Sequence, residues 1–270
     1  MASRGQPGTI CMVANALDLL LLLRREGKAL GVTELSERAG LPKSTVHRLL
    51  TTLQSRGFVR KEDETGKYVL GLRLFEIGMF IANQLDVRKA AANHADWFVE
   101  KYQEVVHLAV LEDSRVILLD KRVPTGERSN QMIRFHLCLS SPPHATALGK
   151  VLLAYSPPRL VDEYIAAGGL EPLTPSTITD PDEFRGELAQ IRAQGYGLSL
   201  EGFEIGMSCI GAPVFDYLGR VVAAISVSAP TARIAARLKD IVQDIQIVAA
   251  QISAELGYKA LDEAGEAGSK

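Results

Sequence analysis

The stretch Leu41 to Gly57, LPKSTVHRLLTTLQSRG, constrains this chain more than any other. Val46, Leu49, Leu50 and Leu53 recur at helical spacing and give one buried stripe. The opposite face carries Lys43, Ser44, Thr45, His47, Arg48, Thr51 and Thr52, and no acidic residue occurs from Leu41 to Arg60. A solvated helix face normally mixes both signs of charge. One that offers only cations and short hydrogen-bonding side chains suits a polyanion, and a helix has the width of the DNA major groove. Pro42 suits a first helical turn, and Gly57 can close the helix. An ordinary amphipathic helix with a basic rim is the alternative reading, so the neighbouring segments must decide.

Upstream, Ile10 to Arg25 reads as a helix with Val13, Leu17, Leu20 and Leu21 on one face, ended by Gly27 and Gly31. Thr33 is the expected N-cap of a second helix to Ala39, with Glu34 and Glu37 in its first turn and Leu35 and Ala39 buried. Gly40-Leu41-Pro42 then makes a tight turn, completing a helix-turn-helix order. Downstream, Phe58–Lys61 and Lys67–Leu70 flank a polar, glycine-containing turn and read as a hairpin, the wing of a winged helix. The expected DNA contacts are Lys43, Ser44, Thr45, His47 and Arg48 at the start of the third helix, joined by Arg56, Arg60, Lys61 and Lys67. Arg56 can instead serve the helix dipole, and Lys61 or Lys67 can pair with the acids at the turn, Glu62, Asp63 and Glu64. Charge supports the division. Residues 1–71 hold 11 Lys+Arg against 7 Asp+Glu, and the remainder holds 19 against 25.

The expected domains are a winged helix-turn-helix over residues 10–71, a linker helix over 72–86, and an α+β domain over 87–257. The linker helix has Leu74, Ile77, Gly78 and Ile81 on one face and suits dimerisation or packing. The third region alternates a helix (Val87–Lys101), strands (Val105–Leu111, Val116–Val123, Met132–Leu139), and a helix from His144 to Tyr155. Two amphipathic helices, Leu160–Ala167 and Asp182–Gln194, precede three strand-like runs at Tyr196–Leu200, Ser208–Phe215 and Val221–Val227. A long final helix opens at Pro230-Thr231. The pattern implies a mostly antiparallel sheet. Residues 1–9 and 258–270 are expected to be disordered tails.

Several function classes are excluded. Three widely spaced cysteines form no disulfide framework and no zinc-finger spacing, so a reducing, cytoplasmic setting is expected. The start lacks an apolar signal core, and the leucine run Leu19–Leu23 is too short to span a bilayer, so no membrane partner is expected. HATALGK lacks the spacing of a phosphate loop, and no serine sits in a nucleophile elbow. His107, His136, His144 and Cys209 show no metal-ligand spacing, so neither metal nor cofactor is expected. A metal- or redox-sensing regulator using Cys209 and nearby histidines is one alternative, and an enzyme domain fused to a DNA-binding module is another. A small-molecule pocket is better supported. It would combine the glycine-rich loop Gly195–Cys209, the alternating Ser226 and Ser228, and the free first amides of the helix after Pro142-Pro143.

Four blocks carry a family resemblance: TELSERAGLPKSTVHRLLTTLQSRGFV, GKYVLGLRLFEIG, HATALGKVLLA and GMSCIGAPVFDYLGRVVAAISVSAP. In these, over about residues 10 to 256, the chain resembles the IclR family of bacterial transcriptional regulators. The resemblance implies a winged helix-turn-helix, a linker helix and a profilin- or GAF-like effector domain. It also implies a homodimer or homotetramer that binds near-palindromic operator DNA, commonly as a repressor. The implied switch is a small metabolite, an organic or aromatic acid. Carried over by motif, the effector contacts are the amides of Ala147 and Leu148, the loop and strand residues Ser199, Glu201, Met207 and Cys209, and the closing Ser226 and Ser228. Glu204 belongs to the same loop pattern. Ser199 stands where some members have an acid, and Ala147 where some have glycine, which narrows the pocket beside the amides.

Overall fold

A computed structural model of the chain describes residues 10–84, 86–125 and 141–259. These fall into two compact units, residues 1–84 and 85–270, each with its own core.

In the first unit, α1 (Cys11–Glu26), α2 (Val32–Ala39) and α3 (Lys43–Ser55) are followed by the hairpin β1 (Val59–Lys61) and β2 (Tyr68–Leu70), then α4 (Leu72–Gln84). Leu19, Leu23, Leu30, Leu35, Val46, Leu50 and Val59 fill the core. Leu30 exchanges two backbone hydrogen bonds with Tyr68, at 3.0 and 2.8 Å, which ties the segment before α2 to the wing. Gly40 takes φ +65° between α2 and α3, a left-handed turn where a side chain would be strained.

Two local expectations are corrected. The second helix starts one residue earlier than expected, with Gly31 rather than Thr33 as its cap. The Glu34 carboxylate, at the third position of the helix, accepts the N–H of the Gly31 cap at 2.8 Å, while glycine has no side chain to take the inner N–H that a threonine hydroxyl was expected to satisfy. The expected apolar stripe of α1 is only partly the buried one. Leu19, Leu20, Leu22 and Leu23 enter the core, whereas Val13, Leu17 and Leu21 are 53–55% exposed. A run of five leucines offers apolar side chains all round the helix, so periodicity alone does not select the inward face.

In the second unit, α5 (Asp86–Tyr102) leads into β3 (Val105–Glu112) and β4 (Arg115–Arg122). A turn of 3-10 helix (Pro143–Ala145) precedes α6 (Ala147–Ala154), α7 (Pro158–Ala166) and α8 (Pro181–Gln194). Then follow β5 (Gly197–Leu200), β6 (Met207–Phe215), β7 (Val221–Pro230), α9 (Thr231–Ala236) and α10 (Leu238–Glu255). The sheet order is β4-β3-β7-β6-β5, every pairing antiparallel. Side chains alternate between its faces. Val106, Leu108, Ile210, Ala212, Ile225 and Val227 join α5 and α10 in one core. Ala109 and Ala224 join α6, α7 and α8 in a second core on the other face.

The described strands lie within one residue of their expected bounds, except β7, which runs three residues past the expected end at Val227 to Pro230, where the final helix was expected to open. Two expected helices are broken. The one beginning at His144 is interrupted by Thr146, whose extended backbone (φ −119°, ψ 151°) ends the 3-10 turn and starts α6. The final helix is split at Arg237 (φ −131°) into α9 and α10. Tyr258, expected in a disordered tail, stacks its ring on Phe215 at 4.9 Å. The expected strand Met132–Leu139, the expected disordered segment 1–9 and residues 260–270 lie outside the described residues.

Candidate functional site

The outward face of α3 is the first candidate surface. Pro42 caps the helix, and its carbonyl accepts the N–H groups of Thr45 and Val46 at 2.9 and 3.0 Å. Lys43, Ser44, His47, Arg48 and Arg56 are exposed, with Thr45 half-buried among them. Thr51 and Thr52 turn their hydroxyls back to the carbonyls of His47 and Arg48 at 2.9 and 3.0 Å, so the first turns of the helix hold the freer donors. On the wing, Arg60 and Lys61 are exposed, and the Lys61 ammonium lies 5.8 Å from the Tyr68 ring centre. Lys67 pairs with Glu34 at 3.2 Å, in α2 rather than among the acids of the turn. The acid Glu62 accepts the Thr65 hydroxyl at 2.9 Å.

The second surface is a cleft in the other unit. Strand register places Ser228, Cys209 and Ser199 side by side on one sheet face, on β7, β6 and β5. The next row on that face is His107, Ser226, Gly211 and Gly197. Gly197 lets α6 approach, since a Cβ there would stand 2.8 Å from Val151 Cγ2, whereas a Cβ on Gly211 would press first on its strand neighbour, at 3.2 Å from the Ile225 carbonyl oxygen. The Thr146 hydroxyl accepts the Gly149 N–H at 3.1 Å and orients the first turn of α6. The preceding Ala147 N–H points at Cys209 Sγ, 3.3 Å away. Sulfur is a weak acceptor, so this amide is poorly satisfied at the positive end of a helix.

A cavity of about 30 Å³ opens there, lined by Thr146, Ser199, Phe203, Glu204, Met207, Ser208, Cys209 and Ser228. That is room for one to three waters, so a metabolite would have to widen it. Ser199, Met207, Cys209 and Ser228 were expected at this site, and the structure brings them together. The Ala147 amide adjoins them. Leu148 sends its side chain into the second core, and Ser226 lies one row deeper. Glu201 is spent on the turn: at φ +55° it donates its N–H to Met207 O at 3.0 Å and accepts the Thr174 hydroxyl on its carbonyl at 2.7 Å. Thr146, Phe203 and Ser208 were not anticipated. For Thr146 a signal existed, a hydroxyl residue immediately before the apolar run ALGKVLLA.

The surroundings are rigid and mostly satisfied. Ser199 donates to the Ala145 carbonyl at 2.7 Å. The buried Lys150 binds Glu187 at 2.9 Å and the Leu198 carbonyl at 3.2 Å. His144 is within 2.9 Å of the Glu171 carbonyl at Nε2 and 2.7 Å of the Tyr164 hydroxyl at Nδ1. A carbonyl only accepts, so Nε2 carries the proton and Nδ1 accepts from Tyr164. Burial pushes the His144 pKa down and that of Tyr164 up to about 12. Both nitrogens of His144 are therefore committed and not available to a metal. Burial also pushes the Cys209 thiol up, away from the reactive thiolate. Among the described residues no group of three His, Cys, Asp or Glu can hold a metal ion, and no helix is long and apolar enough to cross a membrane.

A winged helix-turn-helix joined to a sheet domain with an enclosed cleft defines a helix-turn-helix transcriptional regulator. Comparison gives the family. Residues 12–63 match the IclR helix-turn-helix domain, and residues 79–254 match the bacterial transcriptional regulator IclR C-terminal domain. The HTH-type transcriptional regulator KdgR of Escherichia coli is 34% identical over 254 residues, 94% of this chain and 95% of that protein. The transcriptional repressor IclR of E. coli is 31% identical, over 87% of this chain and 85% of its own. A solved IclR homologue of Microbacterium hydrocarbonoxydans, complexed with 4-hydroxybenzoate, superposes with a TM-score of 0.78 at 26% identity, covering 91% of this chain and 98% of its own. The chain belongs to the IclR family of transcriptional regulators, and like its relatives it is a regulator and not an enzyme.

Proposed function

We propose that the chain is a cytoplasmic, ligand-switched repressor that binds near-palindromic operator DNA as a homodimer or homotetramer and responds to a small organic acid. The observation that carries the acid is the Ala147 amide at the start of α6. It faces a cleft of hydroxyls with only a thiol as its acceptor. A carboxylate there would replace a weak sulfur contact with a charge-assisted one at a helix N-terminus. The homologue solved with 4-hydroxybenzoate supports the same ligand class.

The exposed apolar residues of the first unit support self-association. Ile10, which caps α1, and Val13, Leu17 and Leu21 along it form one stripe, 53–69% exposed, and Leu72, Phe75 and Phe80 on α4 are 66–77% exposed. A second copy would bury them and pair two α3 helices for a symmetric operator. On DNA, Lys43, Ser44, Thr45, His47 and Arg48 approach the major groove, with Arg56, Arg60 and Lys61 on the phosphates. An effector that favours one arrangement of the dimer by ~1–3 kcal/mol suffices to switch it.

Two measurements test this. Arg48→Ala is expected to weaken binding to the chain's own promoter fragment about tenfold and to lower the salt slope by about one if Arg48 holds a phosphate. Binding equal to the unaltered protein at every salt concentration would remove Arg48 from the interface. In melting experiments across small carboxylic acids, including 4-hydroxybenzoate, at least one acid is expected to raise Tm and Ser228→Ala to reduce that rise. A flat response to the whole set would overturn the acid site.

A further inference from the structure

His107 is the one buried side chain of the effector sheet that the cleft described above leaves unexplained. It is 1% exposed in the middle of β3, and neither ring nitrogen has a hydrogen-bond partner among the described residues. A neutral imidazole always carries one donor and one acceptor, so both are left unsatisfied in a dry interior. Buried polar groups in native proteins are nearly always paired, and a lone exception asks for an explanation. Register supplies one. His107 lies opposite Ser226 on β7, on the face that also presents Ser228 and Cys209 to the cleft, one row further along the sheet. Lys121, opposite His107 on β4, shares that face.

We propose that His107 is a specificity residue of the effector site, which hydrogen-bonds a hydroxyl group at the far end of the acid held by the Ala147 amide. A hydroxyl both donates and accepts, so it satisfies whichever nitrogen it meets, and Ser226 beside it can take the remaining bond. Two residues along a strand span roughly 7 Å, and neighbouring strands lie about 5 Å apart. Cys209, beneath the Ala147 amide, and His107 lie two strands and two residues apart, so the hydroxyl must stand at the distal end of the acid and not beside its carboxylate. The ligand class narrows from organic acids in general to acids with a distal hydroxyl. This inference rests on the acid site proposed above.

The test uses matched acids on the full-length protein: benzoate against 4-hydroxybenzoate, and butyrate against 4-hydroxybutyrate. In the unaltered protein the hydroxylated member of at least one pair is expected to raise Tm by more than its partner. His107→Leu is expected to erase that difference, leaving the two acids equal. His107→Gln, which keeps a donor and an acceptor, is expected to retain part of it. Without ligand, at neutral pH, His107→Leu should melt about 2–4 °C higher, because it removes an unsatisfied group from the core. A lower Tm for the leucine variant, with the glutamine variant unchanged, would show that His107 is satisfied within the fold and overturn the proposal. Equal shifts from both members of each pair in the unaltered protein would also overturn it, while leaving the acid site standing. No shift from any of the four acids would count against both.

Discussion

The α3 face and the cleft beside α6 differ in how much of each is committed before anything binds. On α3 the cations and hydroxyls of the first turns stand in solvent, and the threonines further along are already bonded to their own helix. In the cleft nearly every polar group has a partner: Thr146 with Gly149, Ser199 with Ala145, Lys150 with Glu187, His144 with Tyr164 and Glu171. The Ala147 amide has only its thiol, and His107, one row away on the same sheet face, has no partner among the described residues. An exposed surface recognises by what it offers, and water covers the cost of waiting. An enclosed one recognises by what it lacks, because each unmet bond is paid for in stability until the ligand arrives. Substituting a partnered group beside the cleft should therefore cost stability, substituting an unmet one should raise it, and substitutions on α3 should change only affinity.

The sharpest way to break this contrast is Gly149→Ala. A Cβ there would lie 2.2 Å from the Pro143 carbonyl oxygen, so the 3-10 turn and α6 must separate. A loss of ~3 kcal/mol or more in denaturant unfolding of the effector domain is expected, with binding of the isolated helix-turn-helix surface to DNA affected only indirectly. A loss below 1 kcal/mol would show that this corner is soft. Next in size is acid sensitivity. Burial, with the Lys121 charge adding to it, pushes His107 from its ordinary 6.5 down to about 3. The folded ring stays neutral where the unfolded chain takes up a proton. Its titration therefore leaves stability unchanged above about pH 6.5 and lowers it progressively as pH falls toward 3. At about pH 5 the loss is ~2 kcal/mol, and His107→Leu should remove that part of the pH dependence, as read from unfolding midpoints between neutral and acid. His144, lowered in the same sense, leaves a residual slope in both proteins. The smallest effect belongs to Lys67, whose contact with Glu34 is about 40% exposed on both sides. Lys67→Ala should change stability by less than 1 kcal/mol and operator affinity by less than twofold. A tenfold loss of affinity would return Lys67 to the DNA contacts.

How legible each region is in sequence follows from the same contrast. The helices of the first unit, the turn at Gly40 and the wing all show in local periodicity and turn residues, because each element declares itself over a dozen residues. The choice of inward face on α1 does not, since Leu19 to Leu23 are apolar in every direction and only the neighbours select among them. The sheet of the second unit is visible strand by strand. Its pairing is not: residues 146, 199, 209 and 228 meet through register across three strands and a helix start, with 107 one row away, which no spacing along the chain encodes. Strand alternation pointed to Ser228 and the glycine-rich loop to the segment ending at Cys209, and the family motifs singled out Ser199, Met207 and Cys209 within that segment. They missed Thr146, Phe203 and Ser208 in the cavity wall and the unmet hydrogen bonds of His107 beyond it, since aromatic packing and missing partners become apparent only in three dimensions.

Lys150 gives the cleft a mechanical property. One buried ammonium joins the body of α6 to Glu187 on α8 and to the backbone of the edge strand β5 at Leu198. Pulling any one of these three away costs a buried ammonium one of its partners, which ties the three together. A guest that displaced the first turn of α6 would therefore load α8 and β5 as well, much as a tie rod passes a push to every part it joins.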